Sequence, residues 1–343
     1  MRIAVLGGTS FIGRAMVEEL HRRGHDVIVV HRGEHEPDGW VDVRHLHVDR
    51  AELGGARDEL ASFGPDAVVD TIALTRASAE AAAGVIPDGA RAVVLSSMDV
   101  YQAYGDLHAG RATQLVPFDE EAPVRRERYP YRGQIPGMDD YEKLDVEEVY
   151  AARDATVCRL PAVFGPYDGQ RREAPILDRV AAGRDRIPFG PGNWLWSRMH
   201  VHDCATALAL VVEREAVDGE ILNIGPRHVL TMRQWAEVVL DAAGSRAELV
   251  NVPDDTLPPD LGISAAVGQH MVADCAKARA LLDWEDGDPA ERVRESVAWH
   301  LTHPRPGAPR SGAPAAFSAD DEALALVTNA LQRGKRRPPT EEE

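Results

Sequence analysis

Residues Met1–Gly13, MRIAVLGGTSFIG, read as a buried strand that turns through glycines directly into a helix, and this stretch decides the fold. Ile3, Ala4, Val5 and Leu6 form a short continuous apolar run, the pattern of a strand covered on both faces. Gly7 and Gly8 permit a tight turn, after which Phe11, Ile12, Met16, Val17 and Leu20 recur at helical spacing until Gly24. The free N–H groups and the positive dipole end of that helix face the turn, which makes it a cradle for a pyrophosphate.

A glycine-rich turn alone is weak evidence, because glycine serves any sharp strand-to-helix connection. The second apolar run, Val27–Val30, supplies the βαβ context of a dinucleotide-binding unit. Gly13 lets the helix pack close to the sheet, while Ser10 stands where the middle glycine of a GxxGxxG pattern falls. A hydroxyl there either bonds a phosphate oxygen or loosens the cofactor's approach by its bulk. The second strand ends in His31-Arg32-Gly33, with no acid for a ribose 2′-hydroxyl and a guanidinium available for a 2′-phosphate. A hydrogen bond to a charged phosphate is worth about 1.5–3 kcal/mol, which favours NADP(H), with NAD as the alternative. The plain reading of Arg32 is a solvated surface side chain.

The chain has 343 residues, of which 44% are hydrophobic, enough for a substantial core and about two domains. A formal net charge of −18 repels phosphate backbones and anionic membranes, so a small-molecule substrate is expected rather than nucleic acid or a membrane surface. The N-terminus begins directly as a core strand without a signal-type apolar stretch, and a cytoplasmic location is expected. Cys158, Cys204 and Cys275 lack metal-type spacing and read as small packed hydrophobes.

Further strands are predicted near Val43–Val48, Ala67–Thr71, Ala92–Ser96 and Thr156–Leu160, alternating with helical stretches that include Tyr141–Arg153. The expected fold is α/β, a Rossmann-type doubly wound parallel sheet with a smaller C-terminal substrate-binding part. Residues 1–165 form the dinucleotide domain, and 166–303 mainly the substrate part with some segments returning to the first. Residues 304–343 hold a Pro/Gly-rich linker over Pro304–Pro314, a helix capped by Ser318 and running through Leu331, and a disordered tail from Arg336.

GGTSFIG, Ser96-Ser97-Met98-Asp99-Val100-Tyr101, Arg159-Leu160-Pro161-Ala162-Val163-Phe164-Gly165-Pro166 and His200-Val201-His202-Asp203 occur in order, followed by Leu222-Asn223-Ile224-Gly225. With them the chain resembles an extended or atypical short-chain dehydrogenase/reductase of the NAD-dependent epimerase/dehydratase group over about residues 1 to 300. The resemblance implies that the first βα turn (Gly7, Thr9, Ser10, Phe11, Ile12), Asp49 beside the adenine and Ala73 at a strand end hold the dinucleotide. Such proteins often dimerise, so a homodimer is also implied.

The family uses a serine or threonine to hold the reacting oxygen, a tyrosine to pass the proton, and a lysine four residues later that binds the ribose. Ser97 fits the first role and Lys143 the last, but Asp139 stands where the tyrosine should be. Tyr141 is two residues out of register, and two residues of helix turn a side chain to nearly the opposite face. Tyr141 is the best candidate if the helix starts late; Tyr101, Asp99, Asp139 with a raised pKa, or a water are the alternatives. Asp99 also falls where a dehydratase-like member carries an acid, although a strand-end aspartate commonly just caps a turn.

Trp196 replaces the arginine with which the family's nucleotide-sugar enzymes hold a phosphate, and Arg198 follows two residues later. Trp194 and Trp196 with Met199 therefore read as the lining of a flatter apolar pocket, or as core filling. His200 and His202 would share one face of a strand without a third ligand, so no metal is expected, and Asp203 reads as a helix cap. The expected activity is NADP(H)-dependent reduction of a ketone or oxidation of a secondary alcohol. The alternatives are a sugar epimerase/dehydratase and a non-catalytic regulator that binds a dinucleotide or RNA, as do chloroplast stem-loop-binding members of the family.

Overall fold

The computed structural model of the chain describes residues 1–34, 36–37, 39–304 and 317–335, with 330–335 described by backbone alone. Its strands are β1 (Arg2–Leu6), β2 (Asp26–His31), β3 (Arg44–His47), β4 (Ala67–Asp70), β5 (Arg91–Ser97), β6 (Thr156–Leu160), β7 (Ala162–Phe164), β8 (Arg186–Phe189), β9 (Arg198–His200), β10 (Ile221–Asn223) and β11 (Glu248–Asn251). The helices are α1 (Phe11–Arg22), α2 (Arg57–Phe63), α3 (Arg76–Ala83), α4 (Gln102–His108), α5 (Lys143–Ala151), α6 (Ala174–Ala181), α7 (Val201–Glu213), α8 (Met232–Ala242), α9 (Ala276–Leu282), α10 (Pro289–Thr302) and α11 (Ser318–Lys335).

Seven strands form one sheet in the order β10-β6-β5-β4-β1-β2-β3, with every neighbouring pair parallel. The period of two in β1 explains why this strand is central. Ile3 and Val5 enter one core with Met16, Val17 and Leu20 of α1 and Leu208 and Val211 of α7. Ala4 and Leu6 enter the opposite core with Leu60 of α2, Ala79 of α3 and Val146 of α5. Each fully buried aliphatic side chain contributes about 1.5–3 kcal/mol, so a strand covered on both faces must be apolar throughout. This is the expected Rossmann-type doubly wound α/β fold.

The chain divides into two compact units. The first comprises Met1–Gly169, Ser197–Val229 and Gln269–Pro289; the second comprises Gln170–Trp196, Leu230–Gly268 and Ala290–Glu343. The second contains the parallel pair β8–β11. In it, Arg179 of α6 is fully buried and donates to Asp320 in the first turn of α11 at 2.7 and 2.8 Å and to Asp260 at 2.7 and 3.1 Å. That pairing fixes α11, which spans Ser318–Lys335, with Ser318 in its first turn where the sequence reading made it the cap. Residues 305–316 of the expected linker and the tail from Arg336 lie outside the described residues.

Local expectations are corrected at four places. The helix predicted from Tyr141 starts at Lys143, because Glu142 caps it and its carboxylate accepts from Leu144 N–H. His200 closes β9 and caps α7, so His200 and His202 do not share a strand, and Asp203 lies within the first turn of α7 instead of capping it. Met199 packs in the core of the first unit, where β9 alternation points it inward, and is no pocket lining. Ser97, and not Asp99, caps the turn after β5, its Oγ accepting from Asp99 N–H at 3.2 Å.

Candidate active site

The carboxyl end of β1 and the start of α1 enclose a cleft of about 400 Å³ lined by Gly7, Thr9, Ser10, His31, Arg32, Asp49 and Ile72, among others. Gly7 sits at φ +89, and a Cβ on Gly13 would lie 2.2 Å from the Gly7 carbonyl oxygen, so only glycine lets α1 approach the turn this closely. Ser10 caps α1 with extended backbone and makes no side-chain bond to the helix, which leaves its hydroxyl facing the phosphate cradle. Ile72 and Leu74, after β4, are large apolar side chains left about two-fifths exposed. A glycine cradle, an uncommitted hydroxyl and an exposed apolar shelf together fit a dinucleotide.

Arg32 is exposed and pairs with Glu34 at 2.7 Å. Asp49 caps the following 3₁₀ turn through Ala51 N–H. Its neighbour Arg50 donates to buried Asp70 at 2.8 and 2.5 Å, and Tyr150 O–H donates to the same carboxylate at 2.6 Å. This pairing ties the turn that carries Asp49 to the end of β4. The Arg50–Asp70 pair escaped sequence reading, since nothing local links residues 20 apart.

Around the carboxyl end of β5, four side chains of the sequence reading converge. Lys143 is buried and its ammonium donates to the carbonyls of Ala73 (2.6 Å) and Leu95 (2.8 Å). Burial lowers its pKa to about 8, the nearby Asp99 charge opposing that shift. Tyr141 O–H donates to Asp99 Oδ2 at 2.7 Å. Burial and the Asp99 charge hold the Tyr141 phenol well above its usual range. Asp99 itself is pushed up by burial, against the pull of Tyr141, Arg125 and Lys143. Its second oxygen, Oδ1, is buried and has no partner.

The other candidates are placed elsewhere. Asp139 is exposed and its carboxylate accepts from Gly133 N–H. Tyr101 is fully buried, donates to Asn223 Oδ1 at 2.6 Å and is pushed up to about 12 by burial. Tyr131 is an addition that sequence reading missed: its hydroxyl donates to Asp99 Oδ2 at 3.2 Å and accepts from Tyr104 at 2.8 Å. It comes from the irregular segment between α4 and α5, where no periodicity announces it.

A buried ion pair holds this arrangement. Arg125 donates to Glu142 at 2.9 and 2.5 Å and through Nε to the Asp99 carbonyl at 2.9 Å. The side chain that caps α5 is thereby bonded to the turn carrying Asp99. In the second unit, Trp194 and Trp196 stack with ring centroids 4.8 Å apart, and in the first unit Arg198 is buried. The three cysteines are buried and free, with burial raising Cys158 and Cys275 to about 12, as suits packed thiols.

The chain has relatives among known proteins. The sequence profile of the NAD dependent epimerase/dehydratase family matches residues 3–225, and the chain belongs to that family. It is 28% identical to 2'-dehydrokanamycin reductase of Streptomyces kanamyceticus over 95% of this chain and 94% of the relative. It is 25% identical to the chloroplast stem-loop binding protein of 41 kDa b of Arabidopsis thaliana, over 83% and 75%. Among solved structures, dTDP-glucose 4,6-dehydratase from Bacillus anthracis in complex with NAD superposes with a TM-score of 0.68 at 16% identity, over 89% of this chain and 97% of that one. The protein is an NAD(P)-dependent enzyme of the short-chain dehydrogenase/reductase type, in its reductase or epimerase/dehydratase branch. Among the described residues no helix is long and apolar enough to cross a membrane.

Proposed function

We propose that this enzyme is an NADP(H)-dependent reductase of a small-molecule ketone, in which Tyr141 delivers the proton and Asp99 sets its position. The observation that carries the reading is the 2.7 Å bond between Tyr141 and Asp99, beside Ser97 and the buried Lys143 ammonium. Reduction of a carbonyl consumes one hydride and one proton. Bound NADPH supplies the hydride. Tyr141, whose phenol stays protonated at neutral pH, gives its proton to the developing alkoxide while Ser97 donates a hydrogen bond to the same oxygen. The proton lost from Tyr141 is replaced through Asp99, whose raised pKa suits it to carry one.

Lys143 spends two of its three N–H groups on backbone carbonyls and keeps the third for the cofactor's ribose. The first βα turn (Gly7, Thr9, Ser10, Phe11, Ile12), Asp49 and Ala73 bind the rest of the dinucleotide. Arg32 exchanges its exposed partner Glu34, a pair worth under about 1 kcal/mol, for the 2′-phosphate. Arg198, in the same unit as Tyr141 and Ser97, contacts the substrate. The reductase among the relatives supports this direction of chemistry. An epimerase or dehydratase is the second reading, favoured by the buried, unpartnered Asp99 Oδ1, an atom suited to abstracting a proton next to a carbonyl.

Titration of the full chain with NADPH and NADH, followed by ketone-dependent loss of reduced-cofactor absorbance, separates the readings. The trial ketones include 2′-dehydrokanamycin. Preferred NADPH binding with net oxidation supports the reductase. Turnover without net cofactor change supports the epimerase or dehydratase, and binding without any turnover overturns both.

A further inference from the structure

At the carboxyl edge of the sheet, beside the dinucleotide cleft that His31 also lines, three imidazoles and a carboxylate point at one another. His31 is the last residue of β2, and its register partner on β3 is His47, while His45 pairs with Val29. Parallel pairing with a period of two places His31, His45 and His47 on one face. Glu36 joins them from the β2–β3 connection. Of the four ligand atoms, His31 Nε2 lies 2.8 Å from His45 Nδ1 and Glu36 Oε1 lies 2.6 Å from His47 Nε2. Glu36 Oε1 is 3.9 Å from His31 and 4.0 Å from His45, and all four atoms lie within 4.8 Å of one another.

We propose that His31, His45, His47 and Glu36 form a binding site for a divalent transition metal of the zinc type. Bond lengths of about 2.0–2.1 Å to a tetrahedral zinc set ligand atoms about 3.3 Å apart, inside the range of separations found here. Three neutral imidazoles with one carboxylate suit zinc, nickel or copper and do not suit calcium or magnesium, which take oxygen ligands. His31 Nδ1 accepts from Gly33 N–H at 3.2 Å. Ligation through Nε2 shifts the ring proton to Nδ1 and turns that amide to water. Trp40 packs against His45 at 5.8 Å between ring centroids, while His47 and Glu36 are about half exposed and give the ion its way in. No motif announces the set, because the ligands come from two strands and a connection, and the expectation of no metal did not weigh them.

The test is a titration of untagged, chelator-treated full-length protein with Co²⁺, read by visible absorption, and with Zn²⁺, read by Tm. One equivalent of Co²⁺ with the absorption of a four-coordinate site, and a Tm that rises with Zn²⁺, are expected. His47 lies exposed on the edge strand, so His47→Gln leaves the Tm in chelator unchanged. Losing a direct ligand costs at least the roughly 10–100-fold seen for outer-shell partners. Glu36→Gln is the second variant and weakens uptake likewise. No uptake by the wild-type protein, or uptake with equal affinity in both variants, overturns the proposal.

Discussion

The Tyr141 hydroxyl lies 2.7 Å from Asp99 Oδ2, and Lys143, two residues after that tyrosine, bonds the carbonyls of Ala73 and Leu95. Two positions that a continuous helix would send to opposite faces thus serve one site, because the helix starts at Lys143 and Tyr141 belongs to the segment before it.

The Lys143 ammonium titrates at about 8 in the folded chain against an ordinary value of 10.5. Between those values the unfolded chain holds a proton that the folded one has released, so this group's contribution to stability is lowest below about pH 8 and rises up to about 10.5. Cofactor affinity moves oppositely, falling above about pH 8 as the charge is lost. Urea unfolding and cofactor titrations across this range should show both trends in the wild-type protein and neither in Lys143→Met.

The Arg125–Glu142 pair is almost wholly buried. Breaking such a pair by removing one partner costs about 3–5 kcal/mol, so Glu142→Gln should lower the urea midpoint strongly and impair turnover by freeing Tyr141. Arg125→Met combined with Glu142→Gln should cost less than the sum of the single changes, a coupling that chemical denaturation measures directly.

How much was legible follows from where the information lies. The β1–α1 turn is encoded in consecutive residues, and the apolar runs of β1, β2, β4 and β6 state a sheet covered on both faces. The sequence names Tyr141 only on condition of a late helix start, because the Tyr-to-Lys spacing presumes a helix through both residues and the Glu142 cap that shortens it depends on Arg125, 17 residues away. Asp99 looked like a turn cap because Ser97, which takes that role, sits only two residues before it. Tyr131 and the His31–Glu36–His45–His47 set depend on tertiary placement of irregular chain and of neighbouring strands. Met199 stays open in the sequence between pocket lining and core filling because its burial is set by β9 pairing with β7, a non-local event.

Arg32→Ala should weaken NADPH binding by about 10–100-fold and leave NADH binding within about twofold, since a charged hydrogen bond to a 2′-phosphate is worth about 1.5–3 kcal/mol. Glu34→Gln, which frees Arg32 from its exposed partner, should strengthen NADPH binding slightly. Fluorescence titration of both cofactors checks each change.

Gly13→Ala would set a methyl group 2.2 Å from the Gly7 carbonyl oxygen, a backbone atom that cannot rotate away. The helix must then retreat from the turn, costing about 1–3 kcal/mol and at least tenfold in dinucleotide affinity. Gly54→Ala, where nothing lies within 4 Å of the new carbon, is the matched control and should leave cofactor affinity unchanged.

The most direct test of the account is the single-turnover rate of NADPH oxidation by a reducible ketone, compared between wild type and Tyr141→Phe with cofactor affinity measured alongside. If Tyr141 delivers the proton, the rate falls about 10²–10⁴-fold while NADPH affinity stays within about twofold. A Tyr141→Phe rate within a few fold of wild type would contradict the assignment and move the proton to another group.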